Sequence, residues 1–207
     1  VDEYGRVNRN YPLAPEHECV EEYILHYFCR NNHQTMSEWM MKTSSLKAIG
    51  GFVACPMAWG ADCSTVYHIA KQGGVVTSPC HQAFFRYSHI NISGSRFKFI
   101  PQKVLGWQNQ CDTADEIINV SSHPDKENII GVIKHERKHE LRKLFKYASV
   151  SDLCLMVGEF GKYRLSKGLF VIFLIMNPIW HTVAKMLMVL NPLWHSLRRK
   201  YDIKERC

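Results

Sequence analysis

Lys47-Ala48-Ile49-Gly50-Gly51-Phe52, then Pro56-Met57-Ala58-Trp59-Gly60-Ala61-Asp62-Cys63-Ser64-Thr65, then Gly73-Gly74-Val75, then Phe85-Arg86-Tyr87-Ser88 with Asn91-Ile92-Ser93, is the series on which the fold is read. Its punctuation is physical. Gly50-Gly51 follows a helical stretch over Ser37–Ile49 and stops it, because glycine tolerates the left-handed conformation at a helix end. Asp62 opens a further helix running to Gln72, which Gly73-Gly74 closes. Val75–Ser78 and Ala83–Ser88 then read as short strands. Upstream, Val20, Tyr23, Ile24, Tyr27 and Phe28 recur at spacings of three and four, so Glu16–Cys29 reads as an amphipathic helix. Downstream, Phe97–Gln110 also reads as helical. Helices alternating with short strands make residues 1–110 an α/β region.

Two further regions follow. Residues 111–147 read as a polar connector and a charged helix. Lys134–Lys146 holds six basic residues and two glutamates, with Ile130, Ile133, Leu141, Leu144 and Phe145 as its buried stripe and the charges as a solvated face. Residues 148–207 are apolar and basic. Met176-Asn177-Pro178-Ile179-Trp180-His181 recurs 14 residues later as Leu190-Asn191-Pro192-Leu193-Trp194-His195, which reads as short apolar helices in series, each opening near an Asn-Pro. The chain has 207 residues, 46% hydrophobic and 12% aromatic, enough for one core with an appendage and too much for extended disorder. The net charge of +7 admits nucleic acid, an anionic membrane or a phosphorylated small molecule as partner. Eight cysteines at irregular spacings, with no CxxC, read as reduced thiols of a cytoplasmic protein.

The opening series resembles the acceptor-side half of a bacterial branch of the family 2 glycosyltransferases of the GT-A fold. That half runs GGF, a short loop, W-G-x-D-D-A-T, a helix, and R-x-S-x-x-N-I-S. The likeness covers about residues 1–110. It implies an α/β fold, the carboxy-terminal portion of a GT-A domain followed by a helical tail. It implies an inverting transfer from a nucleotide sugar to a cell-surface polysaccharide or lipid-linked acceptor, with a carboxylate base at Asp62. Gly50, Gly51 and Phe52, with Trp59, Gly60 and Arg86, would form the loop around donor sugar and acceptor. Each residue also has a plain structural reading: Asp62 as a helix cap, Trp59 as core, Gly50-Gly51 as a helix stop, Arg86 and Asn91 as framework. The chain departs from the pattern at Cys63, where the likeness expects a second Asp. It also lacks the amino-terminal half and the D-x-D motif with which such enzymes hold a divalent metal, magnesium or manganese. The expectation is therefore a piece of an enzyme, or a non-catalytic relative.

Two further motifs stand out. His135-Glu136-Arg137-Lys138-His139 matches H-E-x-x-H, a zinc pattern when on a helix. Its middle positions are cationic, which opposes a metal ion, so a charged surface helix is the expectation. Leu169–Trp194 is interrupted by Pro178, Lys185 and Pro192, and basic residues flank it on both sides. That favours helices lying in the cytoplasmic face of the inner membrane through residues 164–206 rather than crossing it. A buried helical hairpin is the alternative. No motif supports a nucleic-acid partner.

Overall fold

The computed structural model describes residues 7, 13–29, 36–79 and 98–158. The expected strand Ala83–Ser88, Arg86, Asn91 and the tail after residue 158 lie outside these. The described chain is mostly helical, with one two-stranded sheet. It falls into two compact units, Val1–Leu144 and Phe145–Cys207.

In the first unit β1 (His17–Glu18) leads into α1 (Val20–Phe28). Cys19 caps α1. Its backbone N–H donates to Glu22 Oε2 at 2.9 Å, and the Glu22 amide donates back to the Cys19 sulfur at 3.5 Å. The cap is a Ser/Thr-type capping box with sulfur in place of oxygen. Val20, Tyr23, Ile24 and Phe28 are buried, as the spacing predicts.

The helix expected over Ser37–Ile49 is two shorter pieces, a 3-10 turn at Met36–Glu38 and α2 (Thr43–Ala48). The glycine stop behaves as read. Gly51 N–H reaches Leu46 O at 2.9 Å and Gly50 N–H reaches Lys47 O at 3.1 Å, with Gly50 at φ +83°. These are the two crossed bonds of a Schellman motif.

α3 (Ala61–Ala70) is the central helix, buried on most of its circumference. It ends on Gly74, whose amide bonds Ala70 O at 2.7 Å. β2 (Val75–Val76) then pairs antiparallel with β1, His17 opposite Val76. Gly74 has φ +75°, and any Cβ there would collide with the carbonyl of Glu18. Only glycine lets the chain return this close to β1.

α4 (Ile100–Asn119) runs nine residues beyond the end read at Gln110, so the sequence division at 110 falls inside it. α4 packs on α3 and buries Val104, Trp107, Cys111, Ala114 and Ile118. Tyr23, Tyr27 and Phe28 of α1 meet Tyr67 of α3 and Trp107 of α4 edge-on or tilted, with ring centroids 5.6–6.1 Å apart. This aromatic cluster is the core.

α5 (Lys126–Tyr147) is continuous and buries Ile129 and Ile133. Its stripe begins one residue earlier than read, at Ile129 rather than Ile130. In the second unit, α6 (Val150–Gly158) starts at a Ser149/Asp152 box. The Ser149 amide donates to Asp152 Oδ2 at 2.8 Å, and the Asp152 amide returns to Ser149 Oγ at 3.1 Å. Leu153 and Met156 are buried. Among the described residues no helix is long and apolar enough to cross a membrane.

Candidate functional site

The loop from Gly50 to Gly60 carries most of the sequence-predicted residues. Its backbone is left-handed at Gly50, Gly51, Met57, Ala58 and Gly60. Met57 and Ala58 do so without the freedom of glycine, at about 1 kcal/mol or more each. The loop is held in that shape by its surroundings. Val53 N–H donates to Thr65 Oγ1 at 3.0 Å, and that hydroxyl donates to Ala61 O at 2.6 Å. The Ala58 amide bonds Cys55 O at 2.9 Å and the Trp59 amide bonds Pro56 O at 3.1 Å. The loop is thus clipped to the first turns of α3.

α4 closes the loop from the other side. A Cβ on Gly60 would lie 3.0 Å from Gln110 Oε1 and 3.3 Å from Gly106 O, and a Cβ on Gly106 would strike Trp59. The two glycines let loop and helix meet at backbone distance. Trp59 is half-buried, and the Lys103 ammonium stands over its ring, 4.9 Å from the centroid, a cation–π contact. One ring face is therefore taken by Lys103, which leaves at most the other for a sugar. Burial pushes the Lys103 ammonium below its ordinary value. Neither Gly106, Lys103 nor Gln110 was legible as a site residue. The only sequence signal was Gly106 interrupting a helical pattern.

Asp62 and Cys63 part company at the start of α3. The helix cap is Gly60, at φ +78°, so Asp62 sits in the first turn rather than at the capping position. Its carboxylate is partly exposed and its Oδ1 accepts the Cys63 amide at 2.9 Å. A carboxylate there is favoured by the unpaired amides of the helix start. Cys63 is 5% exposed and turned inward. Burial first, and Asp62 second, push its thiol far above the ordinary range. Tyr23, Tyr27 and Tyr67 are likewise pushed well up, by burial and then by Cys63. Gln110 Nε2 donates to the Tyr67 hydroxyl at 3.1 Å. Phe52 is 50% exposed at the far end of the loop. Gly50 and Gly51 have no atom within 4 Å of a would-be Cβ, so their requirement is conformational. Arg86 lies outside the described residues.

The H-E-x-x-H segment lies on α5, and its residues are not in a group of three close metal-type donors among the described residues. His135 and His139 are 77% and 48% exposed, and Glu136 reaches both, at 3.2 and 3.5 Å. The intervening Arg137 turns to α4, where it binds Asp112 Oδ1 at 2.7 Å and Asp115 Oδ2 at 2.5 Å. Burial pushes the Asp115 carboxyl above its ordinary value, against the pull of Arg137. A groove of about 370 Å³ beside this segment, lined by Phe28, Cys29, Gly131, Val132, His135 and Glu136 among others, does not include the Asp62 loop. Among the described residues, the group that brings three metal-type donors together is instead Cys19, Glu22 and His123. No protein family, no curated protein and no solved structure matches this chain.

Proposed function

We propose that this chain is the acceptor-side part of an inverting family 2 glycosyltransferase, moving a sugar from a nucleotide sugar to a cell-surface polysaccharide or lipid-linked acceptor. The observation that carries the reading is the ordered series from Gly50-Gly51-Phe52 through Trp59-Gly60-Ala61-Asp62 to Arg86-Tyr87-Ser88 and Asn91-Ile92-Ser93. The build of its middle supports it. A loop with two non-glycine residues in left-handed backbone is clamped between two helices, and such stored strain gathers at functional sites. The partly exposed carboxylate at its end is Asp62.

In this reading Asp62 takes the proton of the acceptor hydroxyl as that oxygen bonds the anomeric carbon. The bond from that carbon to the diphosphate oxygen breaks, and its electrons leave on the nucleoside diphosphate. Such enzymes hold a divalent metal on a D-x-D motif. This chain has no D-x-D, so its residues do not fit that group. Membrane attachment through residues 164–206 belongs to the same proposal, since a lipid-borne acceptor resides there.

The competing reading is a non-catalytic relative, and Cys63 in place of the second acid favours it. Turnover of the complete enzyme, with its donor-binding half, separates the two. Asp62→Asn is expected to lower kcat at least about 100-fold. Cys63→Asp is expected to bring no gain and to cost about 3 kcal/mol of stability, because it buries a carboxylate in the aromatic core. Unimpaired Asp62→Asn would refute Asp62 as base. A gain in Cys63→Asp would move the base to position 63 and make this chain the non-catalytic form.

A further inference from the structure

The amino-terminal turn of α1 and the loop joining α4 to α5 meet about a hundred residues apart in sequence. Ser121 fixes the meeting. Its hydroxyl donates to Glu21 Oε1 at 2.6 Å and accepts the His123 amide at 3.0 Å. His123 is thereby set over the α1 cap, where one ligand atom each of Cys19, Glu22 and His123 lies within 4.8 Å of the others.

We propose that Cys19, Glu22 and His123 form a binding site for a thiophilic divalent cation of the zinc class. The donor set is one sulfur, one nitrogen and one oxygen, which suits zinc or cobalt and not calcium or magnesium. Tetrahedral zinc with these donors separates its ligand atoms by roughly 3.3–3.8 Å, given metal–ligand bonds of about 2.0–2.3 Å. With the donors within 4.8 Å of one another, the cluster closes by at most about 1–1.5 Å to reach that. Three protein donors leave a fourth position for water.

The acidic first turn of α1, Glu21 and Glu22, sets negative charge beside the sulfur, which attracts a cation. On capture the thiol S–H bond breaks, its proton goes to solvent, and the sulfur lone pair forms the metal bond. His123 Nδ1 accepts the Asp125 amide at 3.2 Å. Capture forfeits that exposed bond whichever ring nitrogen ligates, since the metal then takes the lone pair of neutral imidazole. Glu22 keeps its second oxygen for the metal while Oε2 holds the Cys19 amide. The site stands independently of the glycosyltransferase reading.

The test is cobalt titration of the full chain followed by displacement with zinc. One equivalent of cobalt is expected to give a thiolate-to-cobalt charge-transfer band that zinc abolishes. Cys19→Ser should lose the band, and His123→Ala should weaken binding at least about 10-fold. Serine is a better helix cap than cysteine, so the Cys19→Ser chain keeps its fold, which its thermal melt checks. Zinc should raise the melting temperature of the native chain and not that of Cys19→Ser. The paired substitution His135→Ala and His139→Ala should leave affinity within about twofold. Absence of a band, a band that survives Cys19→Ser, or loss of binding in the His135/His139 variant instead of the His123 variant would overturn the proposal.

Discussion

A side chain of even one carbon at position 106 would run into the backbone oxygen, Cβ and Cδ1 of Trp59. Glycine there is a steric requirement of the loop that carries Asp62. Gly106→Ala is expected to cost about 2 kcal/mol and to release the strained turn at Met57-Ala58. Gly131 offers the control, because it sits in α5 with open space around a would-be Cβ. Gly131→Ala should raise stability by about 0.5–1 kcal/mol through helix propensity alone. Denaturant midpoints of the two variants check the pair, and equal shifts of the same sign would sink the steric account. At this scale the chain was partly legible. Gly50-Gly51 and Gly73-Gly74 could be read as helix ends from their identity. The partner of Trp59 could not, because Gly106 lies 47 positions away from it in sequence.

Among the elements, α4 and α5 are tied by Arg137, which forks between Asp112 and Asp115. The two aspartates are three apart and so share one face of α4. That spacing stands in the sequence, but nothing in it says that Arg137 turns inward while its neighbours Lys134 and Lys138 stay exposed. With Arg137→Ala the aspartates face each other without their shared cation. The expected loss is about 1 kcal/mol, since all three groups keep roughly a quarter of their exposure. The loss should shrink when Asp115→Asn is combined with it, as a double-mutant cycle would measure. A cycle that comes out additive would show that the fork carries no coupling. The helix boundaries follow the same division. α1 buries Val20, Tyr23, Ile24 and Phe28 of its read stripe and leaves Tyr27 half-buried, but it starts at Val20 rather than Glu16, because His17–Glu18 pair as a strand with β2. α4 outran its reading because its last turns carry Asp112, Thr113, Asp115 and Glu116, which look like a loop until Ala114, Ile117 and Ile118 are seen to be buried.

For the molecule as a whole, ionisation bounds the stable range on both sides. Hydrogen bonds hold Glu22 below its ordinary value, and Glu21 is also held below it, against burial and by its bond from Ser121. A lowered folded value gives stability that is present above the unfolded value and is lost as pH falls through the folded one. The acid limb should therefore begin below about pH 4.3. Cys19, Cys63 and Cys111 are all pushed up, in each case first by burial. Above the unfolded thiol value the unfolded chain releases protons that the folded chain retains, so stability falls as pH rises. Each fully buried thiol should cost about 1.4 kcal/mol per pH unit beyond about pH 8.5. Thermal melts across pH are expected to fall steeply between pH 8.5 and 10.5, and Cys111→Ala should flatten that limb. A melting temperature that is level over the interval would contradict the burial of these thiols.

Local chemistry in the sequence determined where the glycine-ended helices α2 and α3 stop, which face of α1 is apolar, and which residues form the Gly50–Asp62 series. Those depend on contacts within a few residues, where glycine conformations and side-chain spacing suffice. Tertiary structure decided the rest. It turned Asp62 outward and Cys63 into the aromatic core, a choice set by how α3 rolls against α1 and α4. It gave Lys103 one face of Trp59, and it drew Cys19, Glu22 and His123 together across about a hundred residues. Such meetings rest on which helix faces pack together, and no local run of residues encodes them.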